Sequence, residues 1–174
     1  MRTTQTVQHL VSEDWNVENL SYFPVVLSRY GYYDQAYKYI LHLSNPTTDR
    51  REYPEVSFGV TEGIIQGLMG IEPDARYASI TTLYNGKTND TLTVQNLPVL
   101  KGLLSVKETA TSTILQFSGK SSIHWRATFN GKYDFIQSGN KKIKATHTID
   151  KRGHVLSFID VLVMPQKEVR VSVK

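Results

Sequence analysis

The spacing of apolar side chains changes once along this chain, close to Glu72-Pro73. Before that point apolar residues recur three and four positions apart, which is the period of an amphipathic helix. After it, apolar and polar residues alternate in short runs, which is the period of a strand. The pattern therefore predicts an α+β chain: an N-terminal helical-hairpin segment over residues 1–74, followed by an antiparallel β-sandwich over residues 75–174.

Three helices are predicted in the first segment. The first covers residues 17–30, with Pro24 either near its first turn or kinking it. The second covers residues 34–43, and the short gap between the two predicts an antiparallel hairpin. The third follows Pro54, which suits a first helical position, and ends at Gly70. These helices are apolar on more than one side, so we expect a missing partner or a fragment.

The third predicted helix carries a face of bare backbone. Gly59, Gly63 and Gly67 are four residues apart and therefore lie along one side. Each glycine lowers helix stability by about 1 kcal/mol relative to alanine, so another element should pack very close to this face. We expect that element to belong to helices missing from this chain.

The second segment predicts nine short strands separated by turn signals. The strongest such signal is Asn130-Gly131, which is typical of a two-residue hairpin between alternating strands. Trp125, Phe129 and Phe158 are the predicted core of the sandwich. The predicted strands cover residues 78–84, 91–94, 103–109, 112–117, 123–129, 133–137, 143–148, 155–163 and 169–173.

Charge divides the chain in the same place. Residues 1–76 hold 6 Lys and Arg against 10 Asp and Glu, whereas residues 77–174 hold 14 against 6. A basic second half could bind nucleic acid, but its lysines are scattered, as they are when they protect sheet edges. We therefore expect no nucleic-acid partner.

Apolar runs are too short for a membrane span, which needs about 20 residues. The N-terminus has no apolar signal-peptide region, so the compartment is not fixed by the sequence.

Several kinds of catalytic centre lack their residues. The chain has no cysteine, its five histidines show no metal-binding spacing, and no phosphate-binding glycine loop ends in Gly-Lys. No Gly-x-Ser-x-Gly motif is present either. We therefore expect no metal and no cofactor.

Carboxylates beside aromatic rings remain as candidates. Asp14, Glu18 and Glu55 are the candidate catalytic residues, because glycoside hydrolysis uses two carboxylates. Trp15 and Tyr53 are the candidate substrate-binding residues, because sugar faces stack on rings. Each has a plainer explanation: acidic residues stabilise helix N-termini, and Trp15 suits a core or interface.

Two stretches resemble a known class of enzyme. The run from Arg51 through Glu72-Pro73, and Asn96-Leu97-Pro98 followed by residues 121–129, resemble the C-terminal end of six-hairpin (α/α)6-barrel glycoside hydrolases of the α-L-rhamnosidase-like kind. The resemblance implies that residues 1–74 are a partial (α/α) barrel running into its trailing β-sandwich. It also implies that the general acid lies on an earlier barrel loop, which this chain lacks.

Three functions follow as expectations. The first is the C-terminal portion of a glycoside-hydrolase-like protein, non-catalytic alone, with carbohydrate as its substrate class and the sandwich supporting the barrel. Such a chain should self-associate or need the missing N-terminal barrel portion, and a secreted parent would place it in the periplasm or outside the cell. The alternatives are a stand-alone carbohydrate-binding module and a protein-interaction β-sandwich.

Overall fold

The computed structural model describes residues 2–174, and their side chains from residue 5 onward. The chain divides into two compact units, one ending at Gly67 and the other beginning at Leu68. The first holds the helices and the second holds two β-sheets, so the predicted α+β order is confirmed. A domain boundary after residue 74 stays a prediction. The two units are described in turn.

The helical unit contains five α-helices and a final π-helical turn over Gly63–Leu68. Helix α1 was not anticipated, because its apolar residues Val7, Leu10 and Val11 are sparse among polar ones. The helices are α1 (Arg2–Ser12), α2 (Val17–Leu20), α3 (Phe23–Arg29), α4 (Tyr33–Ser44) and α5 (Pro54–Glu62).

The single helix predicted over residues 17–30 is two helices. Asn16 caps α2, with its Oδ1 accepting from the Asn19 backbone N–H at 2.9 Å. Pro24 lies in the first turn of α3, where its missing N–H leaves no hydrogen bond unmade. The interruption between Leu20 and Phe23 places the proline at a helix start rather than inside a helix.

The glycine face is covered by this chain itself. A Cβ on Gly59 would overlap the Ser21 carbonyl, and one on Gly63 would overlap the Pro24 side chain. A Cβ on Gly67 would lie 2.9 Å from Ser28 Oγ. The expectation that missing helices pack here was therefore wrong. Pro24 and Ser28, near the start and the end of α3, and Ser21 at the end of α2 fill this face.

Two small buried clusters hold the helical unit together. Val7, Leu27 and Ala36 form one, which joins α1, α3 and α4. Val17, Leu43 and Val56 form the other, which joins α2, α4 and α5. The remaining apolar side chains of these helices include several exposed ones, to which we return below.

The second unit contains two sheets. Sheet A has five strands in the order β1-β2-β6-β10-β9, and sheet B has six in the order β3-β4-β5-β11-β7-β8. Sheet B is antiparallel throughout, whereas β2 and β6 of sheet A run parallel. The strands are β1 (Glu72–Asp74), β2 (Ser79–Leu83), β3 (Leu92–Val99), β4 (Gly102–Thr109), β5 (Ser112–Ser118), β6 (Ile123–Asn130), β7 (Phe135–Ser138), β8 (Lys141–Lys144), β9 (Thr146–Ile149), β10 (Val155–Val163) and β11 (Glu168–Ser172).

The hairpin predicted at Asn130-Gly131 does not form. Strand β6 lies in sheet A and β7 in sheet B, so this dipeptide links the two sheets. Asn130 stays in β6, pairs with Leu156 and donates from Nδ2 to the Tyr84 carbonyl at 2.9 Å. Only Gly131 of the pair has positive φ, at 108°, whereas a type I′ turn needs both residues there.

The strand predicted over residues 143–148 is also divided between the sheets. Strand β8 pairs with β7 in sheet B, and β9 pairs with β10 in sheet A. The change occurs at Ala145, which is buried and donates its backbone N–H to the Asp134 carbonyl at 2.9 Å. A continuous alternating pattern cannot show that a strand changes sheets.

Alternating side chains of both sheets form the core of the sandwich. Trp125 and Phe129 are fully buried, as predicted. Phe158 is not part of that core, because it is half-buried on the outer face of sheet A. One core position is acidic: Glu108 on β4 is completely buried. Thr113 Oγ1 donates to Glu108 Oε1 at 3.4 Å.

The Glu108 carboxyl group joins the two sheets. The Thr82 hydroxyl of sheet A acts on this carboxyl group and accepts from Trp125 Nε1 at 3.1 Å, while Glu108 Oε2 has no hydrogen-bond partner among the described residues. Burial raises the pKa of Glu108 to about 8, although both threonine hydroxyls lower it. At neutral pH the side chain is therefore mainly protonated, as an acid group without a cationic partner must be.

Candidate functional site

Two of the candidate site residues meet at one cation in the helical unit. Arg50 Nη2 contacts Glu18 Oε1 at 2.5 Å, and the Arg50 guanidinium carbon lies 4.7 Å from the Tyr53 ring centroid. The pKa of Arg50 is raised by its hydrogen bond to Tyr53 and by the charge of Glu18. The Arg50 backbone is left-handed, with φ of 57°, which is uncommon for a residue with a side chain. The loop before α5 thus holds Glu18 and Tyr53 together.

In the described contacts, neither Glu55 nor Asp14 lies beside a second carboxylate. Glu55 is half-buried in the first turn of α5, where a negative charge stabilises the helix dipole. Asp14 is exposed between α1 and α2. Among the described residues, the Glu18 carboxylate lies beside a cation. The described contacts show no two carboxylates placed as a catalytic acid and base. Catalytic roles for Asp14, Glu18 and Glu55 stay predictions.

Trp15 anchors an aromatic cluster of the helical unit. Its Nε1 donates to the Leu10 carbonyl at 2.8 Å, and its ring meets Phe23 edge-on with centroids 6.0 Å apart. Phe23 in turn meets Tyr39 at 5.3 Å. This packing accounts for Trp15 as a half-buried residue that packs against α1 and α3. Its substrate-binding role, like that of Tyr53, stays a prediction.

A second candidate site lies on the outer face of sheet A. We call it the sheet A cleft, a depression of about 700 Å³. No motif in the sequence indicated it, because its residues come from β1, β2, β6 and β10 and the loop between β1 and β2. The residues that line it are Glu72, Pro73, Asp74, Tyr77, Ser79, Thr81, His124, Arg126 and Asp160.

Arg126 is at the centre of this face. Its Nε and Nη2 donate to the two carboxylate oxygens of Asp160 at 2.9 and 3.1 Å, a bidentate pair. The same guanidinium lies 4.3 Å from the centroid of the Phe158 ring. The hydrogen bonds to Asp160 raise the pKa of Arg126 further above its usual value. Residues 123–129 alternate between the two faces of the strand, so Arg126 lies on the face opposite to that of the buried Trp125. This alternation is the one sequence signal for Arg126.

Lysines line a smaller depression of about 400 Å³ beside sheet B. Lys142 Nζ lies 4.3 Å from the Phe135 ring centroid. Lys141, Lys142 and Lys144 all lie on β8, which is the edge strand of sheet B. Lysines on an edge strand oppose pairing with another chain, which is how the sequence pattern was interpreted.

Neither a metal-binding cluster nor a membrane-spanning helix occurs among the described residues. No group of three or more His, Asp or Glu side chains there could hold a metal ion. No described helix is long and apolar enough to cross a bilayer.

No family model matches this sequence, and no curated protein matches it either. Two solved structures align with part of it. A human-microbiome protein designated a kojibiose phosphorylase aligns with 87% of this chain, at a TM-score of 0.50 and 10% identity. A GH127 β-L-arabinofuranosidase from Geobacillus stearothermophilus T6 aligns with 68% of it, at a TM-score of 0.35 and 9% identity.

The alignment covers 20% of the first neighbour and 18% of the second, so this chain spans about a fifth of their length. The likeness to the kojibiose phosphorylase supports the glycoside-hydrolase-like resemblance seen in the sequence at the level of fold alone. Neither neighbour is a rhamnosidase, so the finer resemblance gains no support.

Proposed function

We propose that this chain is the C-terminal portion of a glycoside-hydrolase-like protein that acts on carbohydrate, and that it is non-catalytic alone. Its helices would complete an (α/α) barrel, and its sandwich would support that barrel. The fold shared with the kojibiose phosphorylase supports this, because it extends over 87% of this chain but only 20% of that enzyme. Neither neighbour is a rhamnosidase, so the proposal stays with barrel enzymes of this general kind.

The observation that carries the proposal is exposed apolar surface on the helices. Tyr22, Val26 and Tyr30 are four residues apart and form a stripe along α3, with exposures of 63, 40 and 37%. Tyr37 and Leu41 form a second stripe on α4, with exposures of 47 and 54%. Apolar stripes of this kind normally face a neighbouring helix.

Helix α5 adds the most exposed of the large apolar side chains described. Phe58 on α5 is 71% exposed, although it stands in a helix whose glycine face is tightly packed. Large apolar groups at this exposure on three adjacent helices indicate an interaction surface. The occupant we propose is further α-helices with apolar faces, because α-helices already cover the other sides of α3, α4 and α5.

The test is the mass of the isolated chain in solution at increasing concentration, measured by light scattering. Without its proposed partner the apolar surface should drive self-association by about 100 μM. The triple variant Tyr22→Lys, Leu41→Lys, Phe58→Lys should remain monomeric. Ile149→Lys is the matched control, because Ile149 is 68% exposed but lies on β9. A wild-type chain that stays monomeric would contradict the proposal.

A second function, a carbohydrate-binding sandwich, is favoured by one observation. The sheet A cleft combines an exposed aromatic ring with paired Arg and Asp side chains. Such a site could serve a barrel enzyme or a separate module equally well. The two functions differ in the helical unit, because only the first requires the exposed helix faces to bind other helices.

A further inference from the structure

We propose that the sheet A cleft binds a neutral oligosaccharide, with Tyr77 stacking on a sugar ring and Arg126 and Asp160 bonding to its hydroxyl groups. The inference rests on the proposed function for its ligand class, since a carbohydrate-active protein presents glycans to its outer surfaces. The site itself is argued from the geometry of sheet A.

The polar part of the cleft is a planar array of donors and acceptors. In the hydrogen bonds described for Arg126, Nε and Nη2 are used and Nη1 is not. Each oxygen of Asp160 accepts one of these bonds and has capacity for another. Neighbouring hydroxyl groups of a sugar both donate and accept, so they match a guanidinium edge beside a carboxylate.

Stability gives little reason for this pair to exist. The Arg126 and Asp160 side chains are 49 and 56% exposed, and ion pairs at such exposure contribute little to stability. Yet the pair is bidentate and lies on a half-buried ring, that of Phe158. An exposed surface would not need such an ordered cation, whereas a binding site gains affinity when its groups are already in place.

Strand pairing fixes the row of residues across the cleft. Thr81 on β2 pairs with Arg126 on β6, and Arg126 pairs with Asp160 on β10. Ser79 pairs with His124 one step along the same face. Backbone ladders on both sides of β6 therefore hold the row, and sites built on strands are more precise than sites on loops.

The aromatic part of the cleft is Tyr77. Its side chain is 68% exposed in the loop between β1 and β2, and the Arg76 guanidinium carbon lies 5.6 Å from its ring centroid. The following residue, Ala78, has a left-handed backbone with φ of 46°. A tyrosine presented in this way offers an apolar face together with a hydroxyl, which suits the apolar face of a sugar.

The charges of the cleft favour a neutral ligand. Three carboxylates line it, Glu72, Asp74 and Asp160, and two of them are paired: Asp160 with Arg126, and Asp74 with the adjacent Arg76 at 3.3 Å. A polyanion would meet the carboxylates and a polycation the guanidinium groups, and like charges placed together weaken binding. A neutral chain of hydroxyl-bearing rings meets neither penalty.

The experiment is a titration of the full chain, ¹⁵N-labelled, with maltohexaose, cellohexaose and xylohexaose, followed by amide chemical shifts. At least one probe should give saturable shifts at Thr81, His124, Arg126 and Asp160. Tyr77→Ala and Arg126→Lys should each weaken that binding by about tenfold or more. Ile149→Ala is the matched control, because Ile149 is 68% exposed, as Tyr77 is, but does not line the cleft; it should bind as the wild type does.

Shifts from none of the three probes, or binding that both cleft variants retain, would overturn the inference. So would shifts confined to the lysine-lined depression beside sheet B. These results leave the proposed function standing if the wild-type chain still self-associates. Conversely, a monomeric chain that binds a glycan would overturn the helix-binding proposal and keep the cleft.

Discussion

Gly63 has no room for a side chain, because a Cβ there would overlap the Cβ of Pro24. The proline sits in the first turn of α3, and its ring cannot move away without the helix. Gly63 follows the last residue of α5, so this contact lets the end of α5 lie close against the start of α3. Glycines spaced four residues apart make α5 and its π-helical extension unstable as an isolated helix. The same glycines let α3 pack closely against them.

We predict that Gly63→Ala destabilises the helical unit by about 1–3 kcal/mol, because the added methyl group must push Pro24 aside. The measurement is urea unfolding followed by far-ultraviolet circular dichroism. Thr61→Ala is the control on the same helix, since Thr61 is exposed and bonds only to the Ser57 carbonyl. It should change the free energy of unfolding by about 0.5 kcal/mol or less. Equal effects of the two variants would contradict close packing at Gly63.

Glu108 should make the stability of the sandwich depend on pH. Its pKa rises from an ordinary 4.5 to about 8 on folding, because burial disfavours its charge. Below the ordinary value both states hold the proton. As the pH rises from there to about 8, only the unfolded state releases it, so the free energy of unfolding falls by on the order of 1 kcal/mol per pH unit.

Glu108→Gln removes that titration and keeps the shape of the side chain. We predict that the variant resembles the wild type at pH 5 and is more stable than it at pH 8. Urea unfolding at pH values between these two measures the difference. Parallel pH curves for the two proteins would show that Glu108 is not protonated in the folded state.

Asp150 should make the stability of the sandwich depend on pH in the acidic range. Burial alone would raise its pKa, yet the backbone N–H groups of His154 and Arg152 and the Arg152 side chain together hold it below its usual value. The pKa of Asp150 is therefore lower in the folded state than in the unfolded state. Its charge adds to the free energy of unfolding at pH values above its ordinary pKa, and that contribution is lost as the pH falls through the folded-state pKa. Asp150→Asn should weaken the turn between β9 and β10.

We expect Asp150→Asn to lower the free energy of unfolding at pH 7 by about 1–3 kcal/mol, because the bond from Arg152 Nε to Oδ2, at 2.7 Å, is lost. The two backbone N–H groups that donate to Oδ1 then bond to a neutral oxygen instead of a charged one. The difference from the wild type should shrink below pH 4. Thermal unfolding at both pH values measures it. A difference that stays constant down to pH 3 would mean that the carboxylate charge plays no part.

The sequence was informative where one period ran through one element. The order of helices and strands, the buried Trp125 and the lysine-protected edge at β8 all follow from local patterns. The hairpin predicted at Asn130-Gly131 was wrong because a tertiary contact, the hydrogen bond from Asn130 to Tyr84, overrode the local turn preference. Ala145 could not be recognised as a change of sheet, because alternation continues through it.

The candidate sites show the same limit. Glu18 and Tyr53 were chosen by residue type, and only the fold shows that Arg50 joins them. The sheet A cleft draws its residues from positions as far apart as Glu72 and Asp160, so no local motif could indicate it. Phe158 looked like a core residue, whereas it supports Arg126 from the outer face.

The central claim is that the exposed helix faces bind other helices, and photo-crosslinking from a single position tests it most directly. A benzophenone amino acid placed at position 58, where Phe58 is 71% exposed, should yield covalent oligomers of the isolated chain on irradiation. The same group placed at position 77, where Tyr77 is 68% exposed on the sandwich, should yield few. Crosslinks that form equally from both positions, or only from position 77, would contradict the account.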